Sequence, residues 1–217
     1  MIGKTDRGKR YMGEVTSLLK RKYMKDMRTF LYHSNAWELL VATMLSAQSQ
    51  DKQVNKVTGP LFKKYKGISD YADLKPKQLY PYIGSIGLYR NKAKNIIKTA
   101  VSIEKNFNSQ VPKSIDELTM LPGVGRKTAN VVLANAFGIN EGIAIDTHCI
   151  TVSNRLGLAR AKDPKKIEKR LMNLLERKEW GNITHLFIAL GRDTCTARAK
   201  YCDRCVLKRI CPSSEAR

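Results

Sequence analysis

Acidic side chains are scarce in this chain: nineteen Asp and Glu stand against forty Lys and Arg, a formal net charge of +21. Cysteine is absent until position 149. No run approaches the ~20 consecutive apolar residues that span a bilayer, and Met1-Ile2-Gly3-Lys4 lacks the apolar stretch of a secretory signal. No alternating apolar and polar series marks a strand or a hairpin. These gaps argue against a membrane protein, a secreted disulfide scaffold and a β-sandwich. They leave an intracellular, all-α protein whose 217 residues suffice for one large domain or two small ones. Charge of this size attracts polyanions, and binding driven by it weakens with salt. Nucleic acid is the favoured partner over an acidic protein, a membrane surface or a basic surface with no specific ligand.

Helical periodicity fills most of the chain. About residues 36–49, AWELLVATMLSAQS, are apolar on most sides, as in a buried helix. Residues 51–65 carry Val54, Val57, Leu61 and Phe62 at helical spacing, with Pro60 as a kink. Ala93, Ile96, Ile97 and Ala100 stripe a basic helix over 89–106, and Ala129, Val132, Leu133, Ala136 and Phe137 stripe another over 126–137. Segments 147–157, 164–177 and 181–191 also read as helices. The basic N-terminal stretch to about Arg28 has Tyr11, Val15, Leu18 and Leu19 on one face. The expected organisation is a middle helical domain over 30–135 and a second one built from 1–29 and 136–217. A site would lie in a cleft between them, where binding sites often form.

One segment, SIDELTMLPGVGRKTANVVLANAFG, has the pattern of a helix-hairpin-helix. Ser114 is placed to cap a short helix whose Leu118 and Leu121 face inward. Pro122 stops it, Gly123-Val124-Gly125 make a tight turn, and an amphipathic helix follows. Glycine permits left-handed backbone and close approach. The amides of the turn and of the new helix's first turn lack internal partners and can bind a phosphate oxygen. Lys127 lies two residues past the glycines. It is expected near a positive helix end and partly buried, which disfavours its charged form, and a neutral amine can form an imine with a sugar carbon. A simple phosphate contact is the competing role. Asp146, after Ile143-Ala144-Ile145, reads as a helix N-cap. The same carboxylate could stabilise positive charge on a sugar as a base departs. His148 reads as a structural histidine rather than a proton shuttle.

Four of the five cysteines fall near the C-terminus: Cys195, Cys202, Cys205 and Cys211, spaced C-x6-C-x2-C-x5-C. Four thiolates suit zinc or an iron–sulfur cluster, and the spacing alone does not choose. Arg198, Lys200, Lys208 and Arg209 decorate the loop and could meet phosphate. Cys149 stands apart as a small core residue.

Taken in order, LLVATMLSAQSQD, IGLYRNKAKNIIKTA, LPGVGRKTANVVLANAFG, IDTH and the cysteine spacing resemble the endonuclease III family of DNA glycosylases, in the helix-hairpin-helix superfamily. The resemblance covers nearly the whole chain. It implies two helical domains flanking a DNA-binding cleft and a [4Fe-4S] cluster on the four cysteines. Lys127 would be the Schiff-base nucleophile and Asp146 the catalytic carboxylate. Gln48, in LSAQ, would fill the gap left in the duplex, and Leu88, in IGLY, would wedge between the bases opposite. The implied activity is that of a bifunctional glycosylase and AP lyase, removing oxidised pyrimidines and cutting the strand 3′ to the abasic site by β-elimination. The implied partner is double-stranded DNA bearing a damaged pyrimidine or an abasic site, met by a monomer in a prokaryotic cytoplasm near the nucleoid. Adenine- and thymine-mismatch relatives carry Ser or Tyr where this chain has Lys127. The chain also ends soon after the cysteines, without the extra domain expected of an adenine-mismatch enzyme. Gln50 and Leu190 depart from the usual pattern, the first bearing on lesion range and the second on packing.

Overall fold

The computed structural model describes residues 6–24 and 31–216. Residues 25–28, the end of the basic N-terminal stretch, lie outside the described residues. Eleven α-helices and two single-turn 3-10 helices, Arg177–Glu179 and Cys202–Arg204, make up the regular structure of the described residues, with no strand beyond one isolated bridge between Cys195 and Lys200. The fold class is all-α. No helix among the described residues is long and apolar enough to cross a membrane.

The chain divides into two compact units, Thr29–Ile139 and Met1–Arg28 with Asn140–Arg217. The division falls a few residues beyond the expected 135, because helix α8 (Arg126–Phe137) runs on, and Phe137 and Ile139 still pack on the core of the first unit. That unit also holds α2 (Ala36–Ser46), α3 (Asp51–Lys64), α4 (Ile68–Ala72), α5 (Pro76–Ile83), α6 (Tyr89–Asn106) and α7 (Ile115–Met120). Helix α2 is apolar nearly all round and is buried from Trp37 through Leu45. Asn35 caps it by accepting from the Glu38 amide at 2.9 Å, and Glu38 accepts in turn from the Ser34 amide at 2.6 Å. It stops at Ser46, short of the expected 49, because Gln48 is left-handed with φ 57°. Helices α4 and α5 escaped the sequence reading. Each is under three turns, too short for periodicity to show, and each is defined by its start. Asp70 accepts from the Lys66 and Gly67 amides, and Pro76 opens α5.

The second unit packs α1 (Asp6–Tyr23), α9 (Thr147–Arg155), α10 (Pro164–Met172) and α11 (Trp180–Asp193) around its own core. Met12, Val15 and Leu19 of α1 join Ile183, Leu186 and Phe187 of α11 there, with Cys149 fully buried as expected. Two helices end earlier than their periodicity suggested. Helix α9 is closed by Gly157, left-handed at φ 68°, a common device for satisfying terminal carbonyls. Helix α10 gives way after Met172, where the Leu174 amide tightens onto the Leu171 carbonyl (3.0 Å) and turns Leu174 into the core.

Candidate active site

The hairpin is built as its sequence suggests, with one glycine under far more constraint than the other. Ser114 caps α7, accepting from the Glu117 amide at 3.3 Å, and Leu118 and Leu121 are buried. The turn closes through the Val124 amide on the Leu121 carbonyl, 3.1 Å. Val124 itself is a buried peg, so of the turn's three residues only the glycines present an exposed surface. Gly123 has φ 78°, and a Cβ there would lie 2.7 Å from Asn95 Nδ2 and 2.9 Å from Asn95 Cβ. Thr99 on the same helix, α6, donates to the Pro122 carbonyl at 2.8 Å. Gly125 caps α8 with ordinary backbone angles, and a Cβ there would meet nothing within 4 Å. The open space is where another backbone can approach.

Lys127 is the second residue of α8 and is exposed. The partial burial expected of it is absent, because α8 turns its apolar residues Ala129, Val132 and Leu133 to the core and its first turn outward. Asp146 caps α9, its Oδ1 accepting from the Cys149 amide at 2.8 Å. Two polar contacts that carry no sequence signature fix the extended lead-in. The buried Glu168 carboxylate accepts from the Ile143 amide (3.1 Å), and Thr184 donates to the Ala144 carbonyl (2.9 Å). Burial lowers the pKa of His185, on α11, against an opposing pull from the Asp146 charge. His148 is half-buried and lies so close to α11 that a Cβ on Gly191 would come within 2.6 Å of its Nδ1. That is a packing role.

Gln48 and Leu88 both stand at exposed tips in the left-handed region, φ 57° and 59°. Non-glycine residues rarely sit there without an imposed reason. Leu88 is 62% exposed and forms the N-cap of α6. Lys92, one turn further along α6, was not singled out by the sequence, where it is one cation in a basic helix.

None of the four C-terminal cysteines is in a disulfide, and all four line one pocket with Arg155. Arg155 Nη1 donates to Cys195 Sγ at 3.3 Å, and the Leu207 amide to Cys205 Sγ at 3.4 Å. Burial pushes the Cys211 thiol up; the Ser213 backbone opposes this, and the three neighbouring cysteines add to it. Four thiolates so close repel one another unless a cation group joins them, and N–H donors to sulfur are the usual surroundings of a thiolate-bound metal group. The residues therefore fit such a group. Among the described residues no three metal-ligating side chains converge on a position for one ion. Arg198 and Arg209 are exposed, Lys208 donates to the Asp203 carbonyl, and Lys200 pairs with Glu215 in the C-terminal segment.

Comparison with known proteins accounts for this layout. Residues 41–177 match the HhH-GPD superfamily of base excision DNA repair proteins, a span that takes in Gln48, Leu88, the hairpin, Lys127 and Asp146. Endonuclease III of Bacillus subtilis (strain 168) is 47% identical over 188 residues, 86% of this chain and 85% of that protein. Endonuclease III of Synechocystis sp. is 44% identical over 203 residues, 94% of this chain and 92% of that one. The chain belongs to the endonuclease III family. Among solved structures, a trapped endonuclease III–DNA covalent intermediate superposes with a TM-score of 0.88 at 43% identity, covering 94% of this chain and 96% of that one. A thermostable thymine-DNA glycosylase shares the fold, with a TM-score of 0.84 at 21% identity.

The endonuclease III hairpin of this chain makes a differential prediction for its glycines. Gly123→Ala forces a methyl group into Asn95 and a left-handed alanine, costing at least about 1–2 kcal/mol from the backbone alone. Gly125→Ala meets no clash and loses only the N-cap preference of glycine, costing about 0.5–1 kcal/mol, yet should weaken DNA binding, since its methyl group stands in the open approach. Thermal melting and a DNA titration separate the two. Equal melting of both variants would show that the Asn95 contact does not constrain the turn.

Proposed function

We propose that the protein is a bifunctional DNA glycosylase and AP lyase of base excision repair that removes oxidised pyrimidines. One observation carries the reading: in a chain of the endonuclease III family, a lysine stands in the first turn of the helix that leaves a phosphate-binding hairpin. The partner is damaged double-stranded DNA, approached as a monomer through the net charge of +21. Its place, like that of the bacterial relatives, is the cytoplasm.

The chain's own residues suggest the following sequence. The hairpin glycines and the first amides of α8 hold a backbone phosphate. The damaged nucleotide turns out of the stack, most readily where damage has weakened it. Gln48 occupies the vacated space and Leu88 wedges between the facing bases. Lys127 Nζ, exposed in the protein alone, is dried by the DNA that covers it. As a neutral amine it attacks C1′, and the C1′–N bond breaks with its electron pair leaving on the base, which takes up a proton. Opening of the sugar ring gives an imine between Nζ and C1′. The imine acidifies the C2′ proton; its removal expels the 3′ phosphate oxygen, and water then releases the lysine. Asp146 stabilises the positive charge that builds on the sugar. Its Oδ1 is held by the Cys149 amide, so the carboxylate arrives already oriented.

Cys195, Cys202, Cys205 and Cys211 are proposed to hold a [4Fe-4S] cluster. Four cysteines lining one pocket in a chain of the endonuclease III family suit a cluster, where each thiolate binds a different iron. The bound group supplies a charged cross-link that orders the loop and takes no part in breaking bonds. Leu207 is the one fully buried apolar side chain between Cys195 and Cys211, so ligation provides stability that packing does not. Arg198 is then held at the surface to meet phosphate. Lys200 reaches phosphate only by leaving Glu215.

Three outcomes are expected. Lys127→Ala abolishes borohydride trapping on abasic duplex DNA while binding falls only slightly, because one cation in forty is lost. Trapping that persists at the normal rate would dethrone Lys127. Asp146→Asn keeps the cap and melts at nearly the native temperature, while base release slows by orders of magnitude. Native-like turnover in that variant would reduce Asp146 to a cap. The purified protein should be brown, with about four irons per chain and absorbance near ~400 nm, both lost in Cys202→Ser. One zinc per chain would overturn the cluster and leave the glycosylase reading standing.

A further inference from the structure

Helix α6 begins at Leu88 and touches both the Gln48 loop and the hairpin along a single stripe. Leu88 is its N-cap, Lys92 reaches the Gln48 loop, Asn95 packs on Gly123 and Thr99 bonds the Pro122 carbonyl. Positions 88, 92, 95 and 99 fall within about 60° of one another around the axis at 3.6 residues per turn. The first member of the stripe is exposed, whereas Lys92 is only 7% exposed. Its Nζ donates to the Leu45 carbonyl (2.8 Å), the Ala47 carbonyl (2.6 Å) and Ser49 Oγ (3.4 Å).

These acceptors bracket Gln48. The carbonyls belong to the end of α2, where helix geometry leaves them without intrahelical donors and the helix dipole is negative. The cation therefore takes the place of a C-terminal cap. Burial lowers the pKa of Lys92, the usual route to a nucleophilic amine. Here the amine faces two carbonyls and a hydroxyl and is closed off from solvent, so its work is mechanical.

We propose that Lys92 is a positioning residue for base extrusion, holding Gln48 in its left-handed, outward conformation and fixing its distance from Leu88. The proposal rests on the reading of Gln48 and Leu88 as the residues that keep the opened duplex apart. A side chain anchored at 92 ties the gap-filling tip to the same helix that presents the wedge. The hairpin is pinned to that helix through Asn95 and Thr99. The three contacts thus keep one spacing, set by α6, whatever the DNA does.

The test is single-turnover base release by Lys92→Met, which keeps length and volume but removes the donors, and by Lys92→Gln, which keeps a shorter donor. Both are compared with Gln48→Ala and with the Lys92→Met, Gln48→Ala double variant. Folding is followed by far-UV circular dichroism and melting. Lys92→Met should slow release from a lesion in fully paired duplex about tenfold or more, with Lys92→Gln intermediate. The deficit should shrink for the same lesion in an unpaired bulge, where extrusion is already made. The double variant should be no slower than the slower single one. A general loss of structure would slow both substrates equally and would overturn the proposal. So would folded Lys92 variants with native rates beside an impaired Gln48→Ala. If Lys92→Met does not fold, Lys92→Gln decides by the same comparison. Should Gln48→Ala itself be without effect, the underlying assignment of Gln48 fails, and the proposal with it.

Discussion

The backbone at Gly123 lies against Asn95 with no space for even a methyl group. Most of the DNA-facing half of the site depends on that approach. It draws the hairpin onto α6, and Thr99 locks it there through the Pro122 carbonyl. With the turn fixed, Gly125 can open α8 toward solvent, and Lys127 emerges in the first turn at a set position beside the phosphate cradle. A looser turn would leave the lysine on a hinge, and the chemistry proposed for it needs its amine placed to within about an ångström. The position of Lys127 is thus a consequence of packing at Gly123, four residues before it.

Scarce acids are deployed in a matching way. Glu38, Asp70, Asp146, Asp163 and Glu168 each accept from a backbone amide. Caps and loop pins use negative charge where it stabilises helix starts and leave the basic surface largely uncompensated. Asp146 shows the economy best: the cap that begins α9 is also the carboxylate proposed above to act on the sugar. The Ile143-Ala144-Ile145 lead-in is held from both sides, by α10 and α11, so the acid's position is set by the core of its unit.

How much of this was legible beforehand varies with the physics involved. Long amphipathic helices such as α6 and α8 were readable to the residue, because burial of a stripe imposes a 3.6-residue period. Ser114 and Asp146 were readable as caps, since few residue types do that work. Helices α4 and α5 were not, being shorter than the period needs. The end of α2 was misplaced because its apolar run continues toward Gln48, whereas Lys92, forty-odd residues away in sequence, is what takes its last carbonyls. Glu168 and Thr184 were invisible for the same reason: a long-range bond to a main-chain atom leaves no local mark. Lys127 was expected to be partly buried near the positive end of its helix. Its exposure follows from α8 turning only its far side inward.

The left-handed geometry of Gln48 and Leu88 has a kinetic side. Both tips adopt their strained angles in the protein alone, so the ordering cost is met when the chain folds and not when it meets DNA. An enzyme that scans must judge each base pair within a brief residence, and a loop that had to reshape at every stop would set the pace of the search. In the roles proposed for Gln48 and Leu88, tips already in their working shape would let each encounter be decided by the DNA's own readiness to open. Damaged pairs would then be sorted from sound ones by how easily they yield to a fixed probe.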